Sequence, residues 1–259
     1  MQTPRELRQL IRTGVFRQPT SGYCADYVQA NVVILPKAYA FDFFLFAHRN
    51  PKSCPIVDVL EAGEFESSLA PGSDIRSDVP LYRIYEKGEL INEQDDIEST
   101  WRDDFVTFLI GCSFTFESML QSANIPLRHV DEKKNVAMYV TNRPSEKAGV
   151  FEGPLVVSMR PLPRHLTSNA SDITAKYPNM HGSPVHIGDP AELGIRDINA
   201  PDYGDAIDIK PDEDPVFWAC GVTPQMATVT SGIPLMITHS PGHMFVTDIT
   251  NDEFLKRYA

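Results

Sequence analysis

Cys112-Ser113-Phe114-Thr115-Phe116-Glu117 returns 108 positions later as Cys220-Gly221-Val222-Thr223-Pro224-Gln225. In each copy an apolar run leads into a cysteine, and a threonine follows where a helix begins. Glu117 comes next in the first copy and Pro224-Gln225 in the second. Threonine suits a helix N-cap, proline the first helical position, and Glu or Gln the first turn. Thr115 and Thr223 are therefore expected to cap two helices. The match extends outward. Ile125-Pro126-Leu127 lies over Ile233-Pro234-Leu235 without a gap. After a connection two residues shorter, Met138-Tyr139-Val140-Thr141-Asn142 lies over Met244-Phe245-Val246-Thr247-Asp248. The pattern C-x-x-T-x-[EQ], I-P-L, M-[YF]-V-T-[ND] is an internal strand–turn–helix repeat. Two such helix starts facing each other would form a pocket of N–H donors suited to a carboxylate. A duplicated scaffold with no site between its halves is the plain alternative.

Around the repeat, residues 4–14 read as a short helix stopped at Gly14, with Leu7, Leu10 and Ile11 on one face. A second helix starts near Pro36 and ends at Asn50-Pro51. Residues 56–60 and 81–85 read as strands, and 95–110 as a helix continuing into Phe114. Strands follow at 136–141, 155–159, 185–187, 216–219, 235–238 and 244–248, with helices at 163–176 and 224–230. Residues 178–214 are rich in Gly, Pro and Asp, as loops near a site are. Strands alternating with helices give an α/β fold class. Two intimate subdomains are expected. Residues 1–130 with 215–259 form a larger three-layer α/β unit, and residues 131–214 a smaller two-layer one.

The 259 residues are 42% hydrophobic and 22% charged, with a formal net charge of −12. That composition suits a full core and excludes wholesale disorder. The acidic surface argues against nucleic acid and anionic membranes as partners. The first dozen residues read as an amphipathic, Arg-rich helix rather than a secretory leader, and no apolar run is long enough to span a bilayer. None of Cys24, Cys54, Cys112 and Cys220 forms a C-x-x-C pair, so reduced thiols and a cytoplasmic setting are expected. G-x-S-x-G, G-x-x-x-x-G-K-[ST] and G-x-G-x-x-G are missing, which removes the usual supports for serine hydrolase, P-loop and dinucleotide readings.

The densest polar cluster is His181-Gly182-Ser183-Pro184-Val185-His186-Ile187-Gly188-Asp189-Pro190. Its groups can serve as acid or base, as metal ligands, or as hydrogen-bonded loop residues. His239-Ser240-Pro241-Gly242-His243 reads as a tight turn between two strands, close to Asp248. Arg160 ends an apolar strand, where it would clamp a substrate carboxylate or sit in a structural ion pair. Arg143, after Thr141-Asn142, is a second residue of that kind. Glu117, at a helix start, should be ionised and hence a base or ligand rather than a resting acid. Cys112 and Cys220 read as small packed hydrophobes, with a lowered-pKa thiol as the alternative.

These blocks, with Gln29-Ala30-Asn31, Asn50-Pro51-Lys52-Ser53-Cys54-Pro55, Val156-Val157-Ser158-Met159-Arg160-Pro161 and Pro215-Val216-Phe217-Trp218-Ala219, run through most of the chain. Together they resemble a bacterial hydro-lyase family related to D-glutamate cyclase. The resemblance implies a lyase that turns D-glutamate into 5-oxo-D-proline and water. On that chemistry, Arg160 is expected to hold the α-carboxylate. N–H groups beside Cys112 and Cys220 would meet the oxyanion, with Thr115, Thr223, Asn142 and Asp248 around the substrate. Glu117 would take the ammonium proton, and one of His181, His186 and His239 would protonate the departing oxygen. No cofactor is expected, and a homodimer is compatible with the sequence. Metal-assisted elimination of water from a hydroxy acid, and a non-catalytic carboxylate-binding protein, are the rival readings.

Overall fold

The ten residues Tyr27–Pro36 are buried at all but the first position and form β1, the centre of the larger sheet. A strand covered on both faces needs no polar alternation. The computed structural model describes residues 3–258, which leaves Met1 and Gln2 of the expected N-terminal helix outside. Helix α1 (Pro4–Arg12) precedes β1, started by a capping box in which Thr3 and Glu6 bond each other's backbone. Helix α2 (Lys37–Arg49) follows β1 directly, then β2 (Ile56–Leu60), the hairpin β3 (Tyr82–Glu86) and β4 (Glu89–Gln94), and β5 (Phe105–Gly111). Helices α3 (Phe114–Ser122) and α4 (Arg128–Asp131) lead to β6 (Ala137–Pro144), β7 (Pro154–Pro163), α5 (Thr167–Ala175) and β8 (His186–Ile187). The chain closes with β9 (Glu213–Ala219), α6 (Thr223–Ser231), β10 (Met236–His239), β11 (Phe245–Thr250) and α7 (Asn251–Tyr258).

The result is a mixed α/β fold with two sheets. The seven-stranded sheet has the order β2-β5-β1-β10-β3-β4, with β11 also on β1, and the four-stranded sheet the order β6-β7-β9-β8. Every described pairing is antiparallel. β9 spans position 215, so it crosses the boundary expected there and belongs to the smaller sheet. α2 and α6 cover one face of the large sheet through Phe43, Phe46 and Ala227 against Val33, Leu35 and Phe108. α3 and α7 lie on the other face, where Phe116 and Phe254 share a core with Val32, Trp218 and Val216. No helix among the described residues is long and apolar enough to cross a membrane.

One sequence expectation needs correcting. Residues 105–111 are strand β5, not part of a helix, because this aromatic and β-branched run is inserted between β1 and β2 and buried throughout. The tight turn expected at residues 239–243 is present between β10 and β11, with the His243 N–H on the Ser240 carbonyl at 2.9 Å. Both strands lie along the same side of β1, Val33 opposite Thr238 and Ala30 opposite Phe245. Between them the backbone ladder breaks, and the His239 ring takes its place: Nδ1 accepts from the Val32 N–H at 3.1 Å. Such interruptions loop out extra residues while keeping the strand's direction.

The repeat goes deeper than its three sequence blocks. β1 beside β5 and β11 matches β7 beside β9 and β6, shifted by 127 positions. Ala30 faces Gly111 and Phe245; Val157 faces Ala219 and Tyr139. The hydrogen bonds match too. The Thr115 and Thr223 hydroxyls accept from the N–H groups of Gln29 and Val156, at 3.2 and 3.1 Å. The Thr247 and Thr141 hydroxyls donate to the carbonyls of Val28 and Leu155, at 2.9 and 2.7 Å. In each copy the strand before the cysteine lies in one sheet and the strand after I-P-L in the other, so the halves are interwoven.

Candidate active site

The repeat brings Cys112 and Cys220 together, but not around a pocket. Both belong to one buried apolar cluster with Phe114, Val136, Met138, Val156, Val222 and Met244. Thr115 and Thr223 are no caps either: each lies within the first turn of its helix and ties it to β1 or β7. The N-caps are Ser113 and Val222, and neither makes a side-chain cap bond. Burial pushes both thiols up, Cys220 to about 11 and Cys112 higher still, so neither is an activated nucleophile. The facing-dipole carboxylate pocket is therefore overturned by packing.

One turn into α3, the first half places a buried charge centre. Glu117 is 4% exposed and Arg160 1%. Glu117 Oε1 accepts from Arg160 Nη2 at 2.5 Å and Nε at 3.1 Å, and pairs with His129 Nε2 at 2.9 Å. Arg160 also donates to the Ser158 and Ser113 hydroxyls, at 3.1 and 3.0 Å. Its guanidinium lies over the Phe116 and Trp218 rings, at 5.5 and 5.4 Å. With these donor groups occupied and the side chain buried, Arg160 is no substrate clamp; it holds Glu117. Burial alone would raise the Glu117 carboxyl, but His129 and Arg160 outweigh it and lower it to about 2. Glu117 is thus a fixed negative charge, and too weak a base to take an ammonium proton.

His129 is the titratable group that meets Glu117 from the next helix. It sits in α4, which Arg128 anchors by a bidentate pair to Glu213. His129 is itself 1% exposed and lies in the wall of a cavity of about 390 Å³, with Ser21, Tyr23, Lys133, Lys134 and Asn135 around it. Ser21 Oγ approaches Glu117 Oε2 at 3.4 Å, so the ion pair backs directly onto this cavity. A histidine paired to a buried carboxylate in the wall of a cavity has parts of a general acid–base site. Of the two lysines at its rim, Lys134 is paired to Glu132 at 2.8 Å, which leaves Lys133 as the cation without a salt bridge among the described residues.

The other predicted residues lie elsewhere. His181 is buried, with Nδ1 on the Lys52 carbonyl at 2.9 Å; burial lowers it to about 4. It lines a separate cavity. His186 bonds the Asp189 carbonyl at 2.8 Å and lies against the Phe217 ring, a loop role. His239 is fully buried in the β10–β11 break and lowered by burial to about 3, so it stays neutral. Asn142 is exposed on β6 and packs on Gly194. Asp248 accepts from Arg8 at 2.8 and 3.0 Å, fastening α1 to β11. Arg143 is exposed, near the Val185 carbonyl at 3.4 Å. Among the described residues, no three His, Cys, Asp or Glu side chains stand close enough to hold a metal ion.

The repeat does not point to His129, because I-P-L leads into strand β10 in the second copy but into α4 in the first. The signal lay in the departures between the copies. After Leu127 come Arg128 and His129, and after Leu235 come Met236 and Ile237; Glu117 stands over Gln225. Only the first half carries ionisable groups at these places.

Known proteins fit this picture. Residues 106–248 match the family model described as D-glutamate cyclase. A protein of Thermoanaerobacter sp. (strain X514) named "Putative hydro-lyase" is 56% identical over 97% of this chain and 95% of its own length. Proteins of the same name from Psychrobacter arcticus and Saccharopolyspora erythraea are 55% and 54% identical. They cover 97% and 98% of this chain, and 96% and 99% of their own. A solved nitrogen repressor-like protein from Methanococcus jannaschii covers 96% of this chain and 98% of its own at 12% identity, with a TM-score of 0.40; likeness at that level supports no argument. With the match spanning both repeat halves and the charge centre between them, the chain belongs to the D-glutamate cyclase family of hydro-lyases.

Proposed function

We propose that this hydro-lyase closes D-glutamate to 5-oxo-D-proline and water in the cavity walled by His129. The observation that carries the reading is the His129–Glu117–Arg160 array against a hollow bordered by Lys133 and Lys134. The family description supports the substrate.

The reaction joins the substrate nitrogen to its own γ-carbon and releases one γ-oxygen. Two protons leave the ammonium, and both end on the departing oxygen as water. His129 accepts a proton from the ammonium, which frees a lone pair for attack. The resulting imidazolium returns that proton to the leaving oxygen, and the second follows the same route. Glu117 stays ionised throughout and stabilises the imidazolium. Arg160 fixes Glu117, and through it the ring. Lys133 attracts the carboxylates, while Lys134 is held by Glu132 at 2.8 Å. Holding the amine over the γ-carbon supplies the entropic part of the rate, and the proton transfers contribute about 10²–10⁴-fold. No cofactor takes part in this scheme.

Proton NMR of the purified enzyme with D-glutamate, L-glutamate and each 5-oxoproline enantiomer tests the reading. Interconversion confined to the D series is expected. No interconversion in either direction at high enzyme concentration, with divalent metals also supplied, would overturn it.

A further inference from the structure

A second cavity, of about 630 Å³, has walls of different chemistry. α2 supplies Phe44, Ala47 and His48 to one side, and residues 175–183 form the other. Pro55 and Ile56 add apolar surface. The size and the mix of apolar wall with few polar groups are those of a small-molecule site. In a chain with 35 acidic residues, the lining contains no Asp or Glu. Its lysine, Lys52, makes no salt bridge among the described residues; its ammonium reaches only the Ser183 hydroxyl, at 3.4 Å. Lys52 stays exposed overall, and partial desolvation against these walls, with no carboxylate to offset it, lowers its pKa.

The Lys52 backbone is held in place. Buried His181, with its backbone in the left-handed region at φ 74°, bonds the Lys52 carbonyl at 2.9 Å. The Asn179 carbonyl presses on Gly111, where an added Cβ would lie 1.9 Å away. A rigid floor thus carries one uncompensated cation at the edge of an apolar hollow. Such a place favours an anion with a hydrocarbon body over either an ion or an oil alone.

We propose that this cavity binds a small monocarboxylate with an apolar body, at a site separate from the one that His129 lines. The carboxylate meets Lys52 and Ser183, and the body lies along Phe44, Pro55 and Ile56.

The test is calorimetric titration of the full chain with hexanoate and with 1-hexanol. Hexanoate should bind with one-to-one stoichiometry, and 1-hexanol at least tenfold more weakly. Lys52→Met should weaken hexanoate at least tenfold. Ala175→Trp, which fills the hollow from an exposed helix position, should abolish binding. Lys133→Met should leave it unchanged. Melting curves accompany each variant; should Lys52→Met fail to fold, Ala175→Trp decides. No hexanoate binding, full binding in either cavity variant, or loss in Lys133→Met would overturn the proposal. So would a dimer in light scattering that Phe44→Glu dissociates, because a second copy would then cover the hollow.

Discussion

Replacing Arg160 by Met leaves Glu117 buried with most of its counter-charge gone. The side chain removed is 1% exposed and makes two hydrogen bonds to Glu117 and one each to Ser113 and Ser158. Met fills much of the volume between Phe116 and Trp218, so the cost is mainly electrostatic. Breaking a buried pair by removing one partner costs about 3–5 kcal/mol. In a chain of this size 1 kcal/mol moves the melting temperature by about 2–4 °C, so a fall of roughly 6–20 °C is expected. Because the carboxylate causes the damage, Arg160→Met with Glu117→Gln should recover a large part of the loss, although each single change is harmful. Calorimetric melting of the wild type, both single variants and the double variant closes the cycle. A fall of under about 1 kcal/mol in Arg160→Met, or strict additivity in the double variant, would refute the claim that Arg160 exists to hold Glu117 charged.

Further expectations concern pH, packing and thiols. His181 and His239 are held neutral by burial, at about 4 and 3, while the unfolded chain protonates them near 6.5. Stability should therefore fall as pH drops from about 6.5 towards 3, by an amount on the order of 3 kcal/mol for His181 and about 5 kcal/mol for His239. Glu117, low at about 2 against 4.5 unfolded, adds a loss below about pH 4.5. A melting temperature flat from pH 7 to 3 would contradict all three. Gly111→Ala should cost about 3 kcal/mol or more, since its Cβ would lie 1.9 Å from the Asn179 carbonyl and 2.7 Å from Met180 Sδ; a stable, soluble Gly111→Ala protein would show that this contact yields. Cys54, Cys112 and Cys220 are buried with raised pKa values, so a thiol reagent at pH 8 should label them only on unfolding. Rapid labelling of Cys112 or Cys220 in the native protein would reopen the nucleophile reading.

The repeat was legible in the sequence because its blocks are turn and strand-end residues, where geometry restricts the side chain: Cys before the turn, Pro in I-P-L, Thr against a strand. The third member of each half was not legible. β1 and β7 occupy equivalent places, yet Val28-Gln29-Ala30-Asn31 and Leu155-Val156-Val157-Ser158 share almost nothing, since the centre of a covered sheet asks mainly for apolar bulk. The same lack of alternation hid β5. Glu117 and Arg160 were singled out one at a time, each from the cost of a charge at an apolar place. Their meeting across 43 positions depends on the interweaving of the two halves. That meeting reversed both roles, because a carboxylate already paired to a guanidinium is neither a free base nor a partner for a free clamp. His129 needed the same long-range knowledge, and only the contrast with Ile237 hinted at it.

The most direct test of the central claim is the turnover of His129→Asn with D-glutamate, set beside substrate affinity measured by calorimetry on the same protein. The account predicts that kcat falls about 100-fold or more while the dissociation constant stays within a few-fold and the fold is retained. Turnover within a few-fold of the wild type in a folded His129→Asn enzyme would contradict it.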